Sequence, residues 1–235
     1  MTLLQPYSRI AFFNSCDSTQ NVFREFPDEN YDLVYTFNQT QGKGQYGNKW
    51  QCEGGKSLAL SICINENLVL WNAILFNYLI AIIIRDFIQC YVEDRVCIKF
   101  PNDIYCRNKK LCGILIEKHH QKYIIGIGIN VLPQDFSNLP KAGSISEYSK
   151  KCIDINEFSL EFIRYLYQDF LFTDDEIVDK TNKYLYRKNQ VSVIEYNQKI
   201  INTKVLKIDS EGNIFFEFDD DKIIKLKHKE FCFLS

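Results

Sequence analysis

Residues 39–50, Gln39-Thr40-Gln41-Gly42-Lys43-Gly44-Gln45-Tyr46-Gly47-Asn48-Lys49-Trp50, have the types and spacing best suited to chemistry. They follow an apolar run, Leu33-Val34-Tyr35-Thr36-Phe37, that reads as a strand. Gly42, Gly44 and Gly47 let a ligand approach the backbone closely. Successive N–H groups in such a turn form an anion-binding concavity, to which Lys43 and Lys49 add full charges. Trp50 adds a flat apolar face, so the set suits an anion with an aromatic portion, such as a nucleotide. The same composition also suits a plain solvated loop. The P-loop pattern is not met, and although Gly42-x-Gly44-x-x-Gly47 has dinucleotide spacing, residues 48–55 do not read as the helix that fingerprint opens.

Three other stretches hold candidate groups. Asp17-Ser18-Thr19 precedes Val22, Phe23 and Phe26 at helical spacing, so Asp17 or Ser18 caps a helix whose first turn could also face a polar ligand. In Val96-Cys97-Ile98-Lys99-Phe100-Pro101-Asn102-Asp103, a strand ends in Lys99 and Pro101 imposes a turn. Lys99 is then either a surface lysine or an ammonium aimed into a cleft, where it would bind carboxylate or phosphate. Tyr123 to Val131 is an apolar strand interrupted by Gly126 and Gly128, which mark close approach of another group. Asn130 is a polar residue in that run and needs a partner.

The elements that must position these groups read as follows. Strands are expected at 8–14, 57–64, 96–99, 103–117 with a turn at 107–109, and 123–131; helices at 17–26, 69–91, 155–172 and 173–186, the last capped by Thr173. From 187 the pattern changes to short strands, Val191–Ile194, 200–208, 214–218 and 223–226, with turns at 197–198, 210–213 and 219–221, suggesting a small β-barrel. Residues 1–186 and 187–235 are therefore expected to form two domains. With 235 residues, 46% hydrophobic content and a net charge of −2, the chain has ample core and lacks the excess positive charge of a general nucleic-acid or membrane-surface binder. No export signal or spanning run is visible, which predicts a cytoplasmic protein. Nine cysteines without a C-x-x-C pair, and three histidines, give no zinc pattern; the thiols are expected to be reduced and mostly in the core.

Taken together, Ser18-Thr19, 39–50, 57–61, 99–103, Lys110-Leu111-Cys112-Gly113-Ile114-Leu115-Ile116-Glu117 and Gly126-Ile127-Gly128-Ile129-Asn130-Val131 make the chain resemble the biotin protein ligases, in the short form without an N-terminal DNA-binding domain. The resemblance covers about residues 8–131. It implies an α+β fold, a mixed β-sheet flanked by helices, with a small C-terminal SH3-like β-barrel. It also implies a two-step reaction: ATP activates biotin to biotinoyl-5′-AMP, and biotin then passes to one lysine of a biotin carboxyl carrier domain, of acetyl-CoA carboxylase or another biotin-dependent carboxylase.

By the same resemblance Lys99 is the catalytic lysine. Ser18, Thr19, Gln39, Gly42, Lys43 and Gly113 would bind biotin. Lys43, Gly44, Gln45, Gly47, Trp50, Lys99, Asn102, Lys110, Gly126, Gly128 and Asn130 would bind ATP and the adenylate, with residues 42–50 as a mobile lid and Mg²⁺ accompanying ATP rather than sitting on protein ligands. Lys43 and Gln45 stand where many members carry arginine, which lowers the charge of the lid and removes bidentate phosphate geometry there. No nucleic-acid or membrane partner is expected, and a homodimer is left open. The alternatives are a lipoate ligase or octanoyl transferase of the same fold, or a non-catalytic biotin-binding protein. Gln39 and the lid favour biotin, whose ureido group can pair with polar side chains.

Overall fold

The computed structural model describes residues 1–25, 31–218 and 222–234. Phe26 and the turn expected at 219–221 lie outside the described residues. In chain order the elements are β1 (Ile10–Phe12), α1 (Thr19–Glu25), β2 (Leu33–Thr36), β3 (Gly42–Lys43), β4 (Lys49–Trp50), β5 (Ser57–Asn65) and α2 (Ala73–Gln89). There follow β6 (Val96–Lys99), β7 (Asp103–Cys106), β8 (Lys109–His119), β9 (Lys122–Asn130), α3 (Ile155–Tyr165) and α4 (Asp174–Lys183). Last come β10 (Val191–Tyr196), β11 (Lys199–Ile208), β12 (Asn213–Phe218), β13 (Ile223–Lys227) and β14 (Phe231–Phe233).

Seven strands form one mixed sheet in the order β1-β2-β5-β9-β8-β7-β6, parallel at β1–β2 and antiparallel elsewhere. Strand alternation divides the two faces. Leu58, Leu60 and Ile62 of β5, with Ile125 and Ile129 of β9, enter the hydrophobic core. Tyr123, of the same parity on β9, meets Phe76 of α2 with ring centroids 5.3 Å apart. α2 is apolar nearly all round and correspondingly buried. Its N-terminus is fixed by Asn72 Oδ1, which accepts from Ile74 N and Leu75 N, both at 2.9 Å. Thr173 caps α4 as expected, within a capping box with Glu176.

The C-terminal strands form a separate five-stranded antiparallel sheet, ordered β13-β12-β11-β10-β14. Its first hairpin turns through Asn197 and Gln198, with φ of 50° and 60°. The strand β14 had no signal in the sequence reading. The two sheets share one apolar core, in which Phe100 stacks on Phe231 with centroids 6.5 Å apart. The cysteines depart from expectation: all nine are free, yet only Cys106 and Cys112 are buried, and Cys90, Cys152 and Cys232 are exposed. Among the described residues no helix is long and apolar enough to cross a membrane.

Candidate active site

The second face of the large sheet is floored with small residues. The register sets Ser57 opposite Asn130, Ala59 opposite Gly128 and Ser61 opposite Gly126, while Gly113 of β8 lies across from Gly128 on the other side. Large side chains at these alternate positions would fill the space that α1 and residues 39–50 enclose. Residues 39–50 contain a small hairpin: Gly42 pairs with Trp50 and Lys43 with Lys49, around a single turn of 3₁₀ helix at Gln45–Gly47 that ends with Gly47 at φ 79°. Lys43 Nζ donates to Asn21 Oδ1 of α1 at 2.7 Å and tethers the hairpin across the opening.

Between floor and hairpin lies a cavity of about 210 Å³. Of the candidates named from the sequence, Ser18, Thr19, Gln39, Lys43, Gly44, Gln45, Trp50, Lys110, Gly113, Gly126 and Gly128 all line it. Its inner end is polar. Gln39 Oε1 accepts from Thr19 N at 2.8 Å and from Thr19 Oγ1 at 3.2 Å, and Thr19 Oγ1 lies 2.7 Å from Ser61 Oγ. The first backbone N–H of α1 is therefore taken by Gln39 instead of facing a ligand. Among the described residues, Ser18 Oγ and Gln39 Nε2 form no hydrogen bond, and both residues border the cavity.

The floor glycines are explained by side chains of this chain. A Cβ at Gly126 would meet Gln20 Cδ at 2.8 Å, one at Gly113 would meet Trp50 and Lys110 at 3.1 Å, and one at Gly128 would collide with the Trp50 indole. Gln20, which also donates to Leu115 O at 3.1 Å, thus holds the place on Gly126 expected for a ligand. Trp50 does the same over Gly128, with its Nε1 buried and unpartnered among the described residues. Trp50 and Lys110 also border a neighbouring cavity of about 340 Å³, walled by Asn130, Phe136 and residues 138–142.

Five candidates fall elsewhere. Gly42 and Gly47 border a groove on the outer side of the hairpin. Asn130 faces the neighbouring cavity and has the partners its burial demands: Nδ2 donates to Gly143 O at 3.1 Å, and Oδ1 accepts from Ser57 Oγ and Gln134 Nε2 at 3.2 Å. Asn102 is buried with Nδ2 donating to Ile114 O at 2.7 Å, which fixes the β7 corner to β8. Lys99 lines neither cavity. Its Nζ donates to Tyr105 Oη at 3.4 Å and lies 5.5 Å from the Phe233 ring centroid; burial holds its ammonium below the ordinary lysine range, partly offset by Asp103. The lysine that the large sheet brings to the cavity wall is Lys110, paired with Asp103 at 2.7 Å and 5.9 Å from the Trp50 ring. Lys99 stands one step behind, directly across the β6–β7 ladder from Asp103.

Sequence reasoning missed His228. It sits between β13 and β14 and lines the cavity, bringing the C-terminal sheet to the site. Its only sequence signal is a lone imidazole in the basic run Lys225 to Lys229.

Comparisons with known proteins bear on this arrangement. The family model described as "Biotin/lipoate A/B protein ligase family" matches residues 12–132, just over half of the chain. "Bifunctional ligase/repressor BirA" of Bacillus spizizenii is 32% identical over 149 residues, 58% of this chain and 46% of the relative. Its Bacillus subtilis counterpart is 30% identical over 157 residues, 62% of this chain and 48% of the relative. The chain thus spans about half the length of these curated relatives. Among solved structures, the biotin protein ligase from Aquifex aeolicus in complex with biotin and ATP superposes with a TM-score of 0.77 at 20% identity, covering 97% of this chain and 99% of that one. The mixed sheet flanked by helices is the fold of that structure.

Proposed function

The chain belongs to the biotin/lipoate A/B protein ligase family, and from that premise we propose that it is a biotin–protein ligase, forming biotinoyl-5′-AMP from biotin and ATP and passing biotin to a carrier lysine. The observation that carries this reading is the polar inner end of the cavity. Ser18, Thr19 and Gln39 on the cavity wall, with Ser61 bonded behind Thr19, gather donors and acceptors beside a stretch of floor made of Gly113, Ile114, Leu115, Gly126, Ile127 and Gly128. Ser18 Oγ and Gln39 Nε2 are the groups there without a partner among the described residues; a ureido ring can pair with them, whereas a lipoyl or octanoyl tail would leave them unpaired at a cost of about 1–3 kcal/mol each. The relatives favour the same substrate, since the Aquifex aeolicus structure is described as a complex with biotin and ATP.

In this reading biotin enters ring first, and its carboxylate ends near Lys110 and Asp103. The nucleotide lies across Trp50 into the neighbouring cavity, so the indole must move off Gly128 to admit it. Biotin carboxylate attacks the α-phosphate, and pyrophosphate leaves. Both reactants are anionic, so fixed cations reduce their repulsion and stabilise the charge that develops. Lys110 stands at that point, and Lys99 reaches it when its side chain leaves Tyr105 and Phe233. Lys43 supplies charge from the hairpin. Among the described residues no cluster of three or more His, Cys, Asp or Glu side chains could hold a metal ion. Mg²⁺ would accompany the phosphates of ATP, where it would offset their charge. Residues 1–186 act as the catalytic domain, and 187–235 as a small domain that closes one side of the site.

The test is transfer. Incubated with ATP, biotin and a recombinant biotin carboxyl carrier domain, the purified chain should add one biotinoyl group at a single lysine, read by intact mass. A carrier left unmodified while biotin and ATP are present would overturn the reading.

A further inference from the structure

The transfer step needs a base. A lysine side chain has a pKa near 10.4, so at pH 7 only about one in a thousand or fewer is an uncharged amine. When that amine adds to the acyl carbon its nitrogen must also shed a proton before a neutral amide can form. The titratable side chains on the cavity wall are Lys43, Lys49, Asp103, Lys110 and His228. Three are ammonium groups, and Asp103 is engaged with Lys110 at 2.7 Å. Histidine alone exchanges a proton near neutrality.

We propose that His228 is the general base of the transfer step, accepting a proton from the attacking amine; the proposal rests on the ligase reading above. Its turn is held rigidly, since Lys227 N donates to Glu230 Oε2 at 2.6 Å and Glu230 N to Lys227 O at 2.9 Å. The ring packs against Phe100, centroids 6.0 Å apart, on the β6–β7 corner. Burial favours the uncharged imidazole, as do Lys99 and Lys229, while Asp103 favours the imidazolium. Lys110 borders the same cavity, and Lys118, Glu211, Lys227, Lys229 and Glu230 line with it a second groove. The nucleophile is the small uncharged fraction of the lysine, whose first proton has passed to solvent; its nitrogen forms a bond to the acyl carbon and gives one proton to His228, keeping the other as the amide N–H. The bond from acyl carbon to phosphate oxygen breaks, and AMP leaves with the electron pair. Asp103 stabilises the imidazolium so formed.

Single-turnover transfer from biotinoyl-AMP formed in place tests this with two acceptors: a recombinant biotin carboxyl carrier domain, and hydroxylamine, whose weakly basic nitrogen gives up its proton to water once it has added. In His228→Gln, transfer to the carrier should fall about 100-fold, and transfer to hydroxylamine by at least tenfold less. The wild-type carrier rate should rise with pH to a midpoint below the ordinary histidine value, and the variant should lose that limb. Equal losses with both acceptors would assign His228 a structural or binding role, and an unchanged carrier rate would assign it none; either overturns the proposal. A wild-type chain that forms no biotinoyl-AMP would instead overturn the underlying ligase reading.

Discussion

The two walls of the cavity are built differently. The sheet wall is set by register along β5, β9 and β8, nine paired positions on one side of β9 and eight on the other. The hairpin wall rests on a ladder of two pairs and on the Lys43–Asn21 hydrogen bond. Changes in the sheet wall should therefore alter stability and chemistry together, while changes in the hairpin should cost chemistry alone.

The largest effect should come from the corner of the sheet wall. Lys99→Ala should slow biotin-dependent ATP–pyrophosphate exchange about 10²–10³-fold; near wild-type exchange would leave Lys110 as the cation that matters. Gly128→Val sets a side chain where the Trp50 indole lies. Exchange should fall about 100-fold through misplacement of the hairpin, and the melting temperature should fall with it. Unaltered exchange would mean the two walls are not coupled through Trp50.

Stability should separate the walls next. Asn102→Ala orphans the buried Ile114 carbonyl and should cost about 1–3 kcal/mol in chemical denaturation. Lys99→Met should do the opposite. The folded-state pKa of Lys99 lies below its ordinary 10.5, so the unfolded chain binds the extra proton between the two values. The penalty is complete below the folded value and fades as pH rises toward 10.5. The variant should melt higher than wild type at pH 7, by about 2–4 °C per kcal/mol relieved, with the gap closing as pH rises toward 10. A lower melting temperature at pH 7 would contradict this. Lys43→Ala should be mildest, weakening adenylate formation about two- to tenfold with less effect on biotin affinity and none on melting.

The hairpin and the floor were legible because their signals are local. Glycine spacing at 42–47 and alternation along 123–131 report contacts made within a strand or to its neighbour. The helices at 69–91 and 173–186 were legible for the same reason, through periodicity and the Thr173 cap. What escaped was long-range. Lys99 reads as a strand-end cation, but only the fold reveals that Tyr105 and Phe233 hold it off the wall. Asn102 sits in a motif whose neighbour Asp103 reaches the cavity while its own amide turns to Ile114. His228 reaches the site from more than a hundred residues beyond Lys110, and no periodicity encodes such a meeting.

Exchange of pyrophosphate into ATP, measured on the purified chain with biotin, lipoate and octanoate supplied one at a time, tests most directly that this cavity selects a ureido acid for adenylation. Biotin alone should support exchange. Exchange with lipoate or octanoate and none with biotin would contradict it.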